Sequence, residues 1–148
     1  PIIDRRERLE GYRQALAEYG ITPDKNWVIS VPFNEEGGER AAHQLLNCGI
    51  PFTAAVTFND VMAAGIMRIL HQQGITLPQQ LSIVGFDDVV MARYLYPALT
   101  TMHYPVERMA RCASQLAIQI FKGATQRPSV NSFTAELVIR DSVLPPSL

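Results

Sequence analysis

Leu9, Tyr12, Leu16 and Tyr19 recur at spacings of three and four while Arg5, Glu7, Arg13 and Glu18 lie mostly elsewhere, so Asp4 to Tyr19 is expected to be an amphipathic helix. Gly20 is placed to cap its end. After a turn-rich connector containing Pro23, Trp27 to Val31 reads as a strand that ends in a loop at Pro32-Phe33. A helix from Gly37-Gly38 turns Ala41, Ala42, Leu45 and Leu46 to one side, Glu35-Glu36 favour its amino end, and Asn47 to Pro51 closes it. Ala54 to Phe58 is a second strand, followed by a helix with the stripe Met62, Ala63, Ile66, Ile69 and Leu70, which Asp60 is expected to cap and Gly74 to stop. Leu81 to Val84 is dominated by aliphatic residues, the mark of a strand buried on both faces of a parallel sheet, and Gly85 lets the backbone turn at its end. Short connections between alternating helices and strands predict an α/β fold: a parallel sheet flanked by helices, with right-handed crossovers. A helix ahead of the first strand implies an opening strand upstream of Pro1.

Beyond Asp88 the pattern changes. Val89 to Tyr96 suits a short helix, Pro97 and Thr100-Thr101 mark an extended crossover, and Val106 to Lys122 aligns Met109, Ala113, Leu116, Ala117 and Ile120 on a strong helix. Ser132 to Ile139 alternates, with Phe133, Ala135, Leu137 and Ile139 on the drier side, so it is expected to be a strand with one wetter face.

The chemistry collects where strands end. Ligands of open α/β sheets sit outside the carboxyl ends of the strands, and there this chain has Asn59-Asp60 and Asp87-Asp88. An amide and a carboxylate suit a polar ligand. Neighbours on an extended backbone point oppositely, so Asp87 and Asp88 are not expected to share one ligand, and one of the two is expected to face it. His43, His71 and His103 are far apart and form no metal or triad pattern. No nucleophile elbow or phosphate loop occurs, so no enzyme, metal or cofactor is expected.

Composition narrows the partners. With 47% hydrophobic and 18% charged residues the chain is suited to a packed core. Its 13 basic residues are offset by 14 acidic ones scattered along the sequence, so this stretch is not expected to hold DNA by itself. No apolar run approaches the roughly 20 residues that span a bilayer. Cys48 and Cys112 sit in helical patterns without a metal-ligand spacing and read as buried thiols of a reducing compartment.

Five motifs in order support a resemblance: Arg8-Leu9-Glu10-Gly11-Tyr12, Asn59-Asp60, Gly85-Phe86-Asp87-Asp88, Leu99-Thr100-Thr101 through Tyr104-Pro105, and the closing Leu137-Val138-Ile139-Arg140-Asp141-Ser142. From about Asp4 to Val143 the chain resembles the effector-binding region of the lactose/galactose repressor family. Its Arg93-Tyr94 to Pro105 stretch is nearest the galactose-repressor branch. The resemblance implies a type I periplasmic-binding-protein-like fold, present here in part. Residues from about 1 to 101 would be the second subdomain and about 102 to 137 the segment returning to the first. The helix-turn-helix domain would lie upstream.

The same resemblance implies ligand-binding roles for Arg8, Phe33, Asn59 and Asp87. Arg8 would reach sugar hydroxyls with its fork of donors, Phe33 would stack on the apolar face of a sugar, Asn59 would donate or accept, and Asp87 would accept. It implies a cytoplasmic homodimeric repressor that releases or binds operator DNA through the missing domain when a small, galactose-like sugar binds. Met62, Ala63, Met67, Met91 and Tyr94 are candidates for exposed apolar contacts of the dimer, with core packing as their ordinary alternative. A periplasmic sugar-binding protein of the same fold, serving a transporter, is the other reading.

Overall fold

The computed structural model describes residues 3–123 and 132–145, so part of the expected returning segment, residues 124–131, lies outside the described residues. Five of the expected elements form within a residue or two of their predicted bounds. They are α1 (Ile3–Glu18), α2 (Glu35–Asn47), α3 (Asp60–Gln72), β2 (Ser82–Phe86) and α4 (Val106–Phe121). The strand expected at Ala54 to Phe58 is shorter, β1 (Ala54–Val56), and the crossover at Thr100-Thr101 is a strand in its own right, β3 (Thr100–His103). β4 (Glu136–Val138) covers only the last part of the alternating stretch. The short helix after Asp88 is a 3₁₀ turn at Val90–Arg93.

The sheet runs β1-β2-β3-β4. β1 and β2 are parallel, as the alternation predicts; β3, expected only as an extended crossover, joins parallel to β2, and β4 pairs antiparallel with β3, setting Thr101 opposite Val138 and His103 opposite Glu136. The alternation at 132–139 also changes phase: Phe133 and Ala135 are half-buried, whereas Leu137 and Ile139 are exposed and Val138 turns inward. Short β4 takes its facing from its pairing with β3 rather than from the run of residues leading into it.

Trp27 to Val31 does not form the expected strand. Lys25–Trp27 is a 3₁₀ turn capped by Asp24, and Val28 to Val31 joins no ladder among the described residues. β-branched residues favour an extended backbone, but a strand also needs a partner for its N–H and C=O groups. Ile29 and Val31 still pack against the core.

That core lies between β2 and α3, with α2 packed on α3. Ile66, Ile69 and Leu70 meet Leu81, Ile83 and Leu99 there. The two helices approach closely because Gly38 and Gly65 face backbone: a Cβ on Gly65 would lie 2.2 Å from the carbonyl oxygen of Glu35, and one on Gly38 2.2 Å from that of Met62. The closing motif stitches the layers together. Buried Ser142 donates through Oγ to the Ile83 carbonyl at 2.6 Å and accepts from the Thr100 N–H at 2.8 Å, while its own carbonyl accepts from the Ile83 N–H. α1 and α4 are peripheral, and neither has a buried residue among those described.

Candidate sugar-binding site

The carboxyl ends of β1 and β2 form one corner, and α1 reaches into it. From α1, the Arg8 guanidinium donates to the carbonyl of Phe58 and lies against two rings, with Cζ 3.6 Å from the centre of Phe86 and 4.3 Å from that of Phe58. Arginine suits this place because its planar, weakly hydrated cation stacks on ring faces while its N–H edges remain directional. Phe33, from the loop before α2, stacks on Phe58 with ring centres 4.3 Å apart, and Tyr104, after β3, lies 5.7 Å from Phe86. The result is an aromatic wall with a guanidinium set into it. Flat apolar faces beside directional polar groups are what a sugar ring requires of its binder.

Of the four residues expected to bind ligand, Arg8, Phe33 and Asn59 border this corner, though not all in the expected manner, and Asp87 follows Phe86 at its edge in the chain. Asn59, rather than Asp60, caps α3. Its Oδ1 accepts from the Met62 N–H at 2.9 Å and its Nδ2 donates to the Phe33 carbonyl at 3.3 Å, which links the loop after β1 to the loop before α2. An Asn one residue before the helix has the extended backbone a cap requires, whereas Asp60 already belongs to the first turn.

Asp60 is instead fully buried. Its Oδ2 accepts from the Val89 N–H at 2.9 Å and its Oδ1 from the Thr101 hydroxyl at 2.5 Å. One carboxylate thus joins α3, the loop after Asp88 and β3. Burial pushes its pKa up, and the Thr101 and Val89 donors offset that only in part. A raised folded-state pKa means that Asp60's contribution to stability is complete below its unfolded value and is lost as pH rises through the folded one. Asp60→Asn can keep both bonds, accepting from Val89 and donating to Thr101, and it cannot ionise. In thermal melts from about pH 4 upward, the variant is expected to lose less stability than the native protein.

Asp87 and Asp88 are not on extended backbone. Their φ angles are 111° and 51°, so the chain turns through the left-handed region on leaving β2, and the argument from alternating strand directions does not apply. The Asp87 N–H is held by the Met102 carbonyl at 2.9 Å. Asp88 is structural, paired with Arg140 and His103.

Three of the proposed dimer contacts are not exposed. Met62, Ala63 and Met67 are buried in the described structure, Met62 and Ala63 as members of the apolar stripe of α3 and Met67 because the inward face of the helix is broader than that stripe. Met91 and Tyr94 are exposed, at 40% and 77%. Cys48 is also exposed, at the end of α2, while Cys112 is half-buried. Neither thiol is the buried one expected. Phe58, Phe86 and Tyr104 were not singled out as site residues, although Phe58 and Phe86 stand immediately before Asn59 and Asp87, and position relative to those polar tips was the available signal.

Comparison with known proteins places this geometry in a class. Residues 4–143 match the periplasmic binding protein-like domain family. The HTH-type transcriptional regulator GalR of Escherichia coli K12 is 44% identical over 147 residues, which are 99% of this chain and 43% of that protein. The HTH-type transcriptional repressor PurR of Photobacterium profundum is 37% identical over 138 residues, 93% of this chain and 41% of that protein. Among solved structures, the Escherichia coli transcriptional repressor ascG superposes with a TM-score of 0.84 at 34% identity, covering 94% of this chain and 50% of that one. A complex of the transcriptional regulator CelR with cellobiose superposes at 0.87 and 30% identity, covering 93% and 42%. The chain belongs to the lactose/galactose repressor family and corresponds to part of its effector-binding region. It spans 43% of the length of the GalR it matches.

Proposed function

We propose that this chain is the sugar-binding and dimerising part of a cytoplasmic transcriptional repressor, and that a small sugar, galactose or a near relative, alters operator affinity through it. The observation that carries the proposal is the convergence of Arg8, Phe33 and Asn59 on one corner at the strand ends, against an aromatic wall, with Asp87 next in the chain after Phe86 of that wall. Arg8 and Asp87 would supply donors and an acceptor for hydroxyls, Phe33 an apolar face, and Asn59 the link between loops. No step of chemistry is assigned to these groups; the site is a binder.

The exposed side of α4 supports the division into subdomains. Val106, Met109, Ile118, Ile120 and Phe121 are exposed, Phe121 at 92%, although α4 is strongly amphipathic. Such a face suits the returning segment at about 102–137, packing against a first subdomain outside these residues, with the sugar between the two. Met91 and Tyr94 remain as dimer contacts, and DNA binding is assigned to a further region of the protein because this chain carries a net charge of -1. Relatives named as transcriptional regulators favour this reading over a periplasmic carrier. A sugar effect on DNA needs a coupling of roughly 1–3 kcal/mol.

The test is calorimetric titration of the protein as its gene encodes it with D-galactose, D-ribose and cellobiose, alongside gel-shift of DNA from upstream of that gene. Binding of one sugar together with a changed DNA shift is expected. A protein that shifts the DNA but ignores every sugar would sink the effector assignment.

A further inference from the structure

Both oxygens of Asp88 are taken by basic side chains from other parts of the sheet. Arg140, which follows β4, pairs through Nη2 with Oδ1, and His103, the last residue of β3, sets Nδ1 3.1 Å from Oδ2. Arg140 is itself fixed, since Nη1 donates to the Leu99 carbonyl at 2.7 Å and its backbone N–H to the Thr100 hydroxyl at 2.9 Å. Asp88 therefore ties the loop after β2 to the ends of both β3 and β4. It is also the immediate neighbour of Asp87, in a turn where both residues have positive φ. Left-handed backbone is disfavoured for residues other than glycine and persists only where contacts hold it.

We propose that His103 is a positioning residue for the sugar site: together with Arg140 it clamps Asp88, and so the turn that carries Asp87. The proposal rests on Asp87 being a sugar contact. The His103 side chain is 46% exposed, while that of Asp88 is 9% exposed.

Glu136 stands opposite His103 in the β3–β4 register, Asp87 precedes Asp88, and buried Asp60 lies behind it. Arg140 is the cation that shares the carboxylate. Without the His103 contact the clamp rests on Arg140, the turn is held less firmly, and Asp87 is less well preorganised. Affinity should then fall by about threefold, since a half-exposed pair is weakened by solvent.

The experiment measures Kd by calorimetry, using whichever of D-galactose, D-ribose and cellobiose binds. The native protein, His103→Ala, His103→Arg and Asp87→Ala are compared, each in the protein as its gene encodes it. His103→Ala is expected to bind about threefold more weakly than the native protein, and His103→Arg, which keeps a donor for Asp88, as tightly as the native protein. A His103→Ala variant with native affinity, or a His103→Arg variant no tighter than His103→Ala, overturns the role of His103. If Asp87→Ala leaves affinity unchanged, the assignment of the sugar site falls instead, and the positioning role with it.

Discussion

Asp87→Ala is expected to weaken sugar binding by about tenfold to a hundredfold, because a hydrogen bond to a charged acceptor contributes on the order of 1.5–3 kcal/mol. A carboxylate at this position can accept from two adjacent hydroxyls, and nothing in an alanine replaces either bond. The native fold should survive the change, since Asp87 is only half-buried and its backbone N–H still reaches the Met102 carbonyl. Circular dichroism matching the native protein, together with the affinity loss, separates a lost contact from a lost fold. An unchanged affinity would remove Asp87 from the site and leave Arg8 and the aromatic wall to explain any binding.

Gly85→Ala should have the largest effect on stability. A Cβ there would lie 2.1 Å from Oδ1 of Asp60 and 2.8 Å from Cδ2 of Leu99, and both neighbours are fully buried. Neither can move cheaply. If Asp60 shifts, the Val89 N–H and the Thr101 hydroxyl lose their acceptor in the interior, and overpacking adds to that cost. A loss of about 3 kcal/mol is expected from these two effects, measured as a lower urea midpoint. Sugar affinity should fall as well, since the displaced carboxylate anchors the loop that follows Asp87-Asp88. Gly11→Ala is the control: a Cβ there meets nothing within 4 Å and lies inside α1, so alanine should be neutral or stabilising by up to about 1 kcal/mol. Equal effects from the two substitutions would refute the close approach at Gly85.

Much of the site was legible because its residues announce themselves at strand ends. Asn59 and Asp87 each follow an apolar run and a turn, and strand-end position is a local property of the sequence. Their partners were not legible in the same way. That Asn59 rather than Asp60 caps α3 depends on a one-residue boundary, and two adjacent capping residue types leave that choice to the surrounding packing. That Asp88 pairs with Arg140 and His103 joins positions 52 and 15 residues away, a choice made by the order of strands in the sheet.

By itself the sequence determined which segments are helices, that β1 and β2 lie parallel, and which polar residues stand at the strand tips, because periodicity, glycine turns and short connections act over a few residues. Only the tertiary structure decided that Val28 to Val31 joins no ladder among the described residues, that β4 runs antiparallel, and that Met62, Ala63 and Met67 are buried rather than exposed for a dimer. It also decided the role of Asp60, which resembles a surface cap in the sequence and is the buried junction of three elements. The physical reason is common to all of these. Hydrogen-bond partners and burial are relations between segments far apart in the chain, and a residue's own neighbours carry little information about what the fold will set against it.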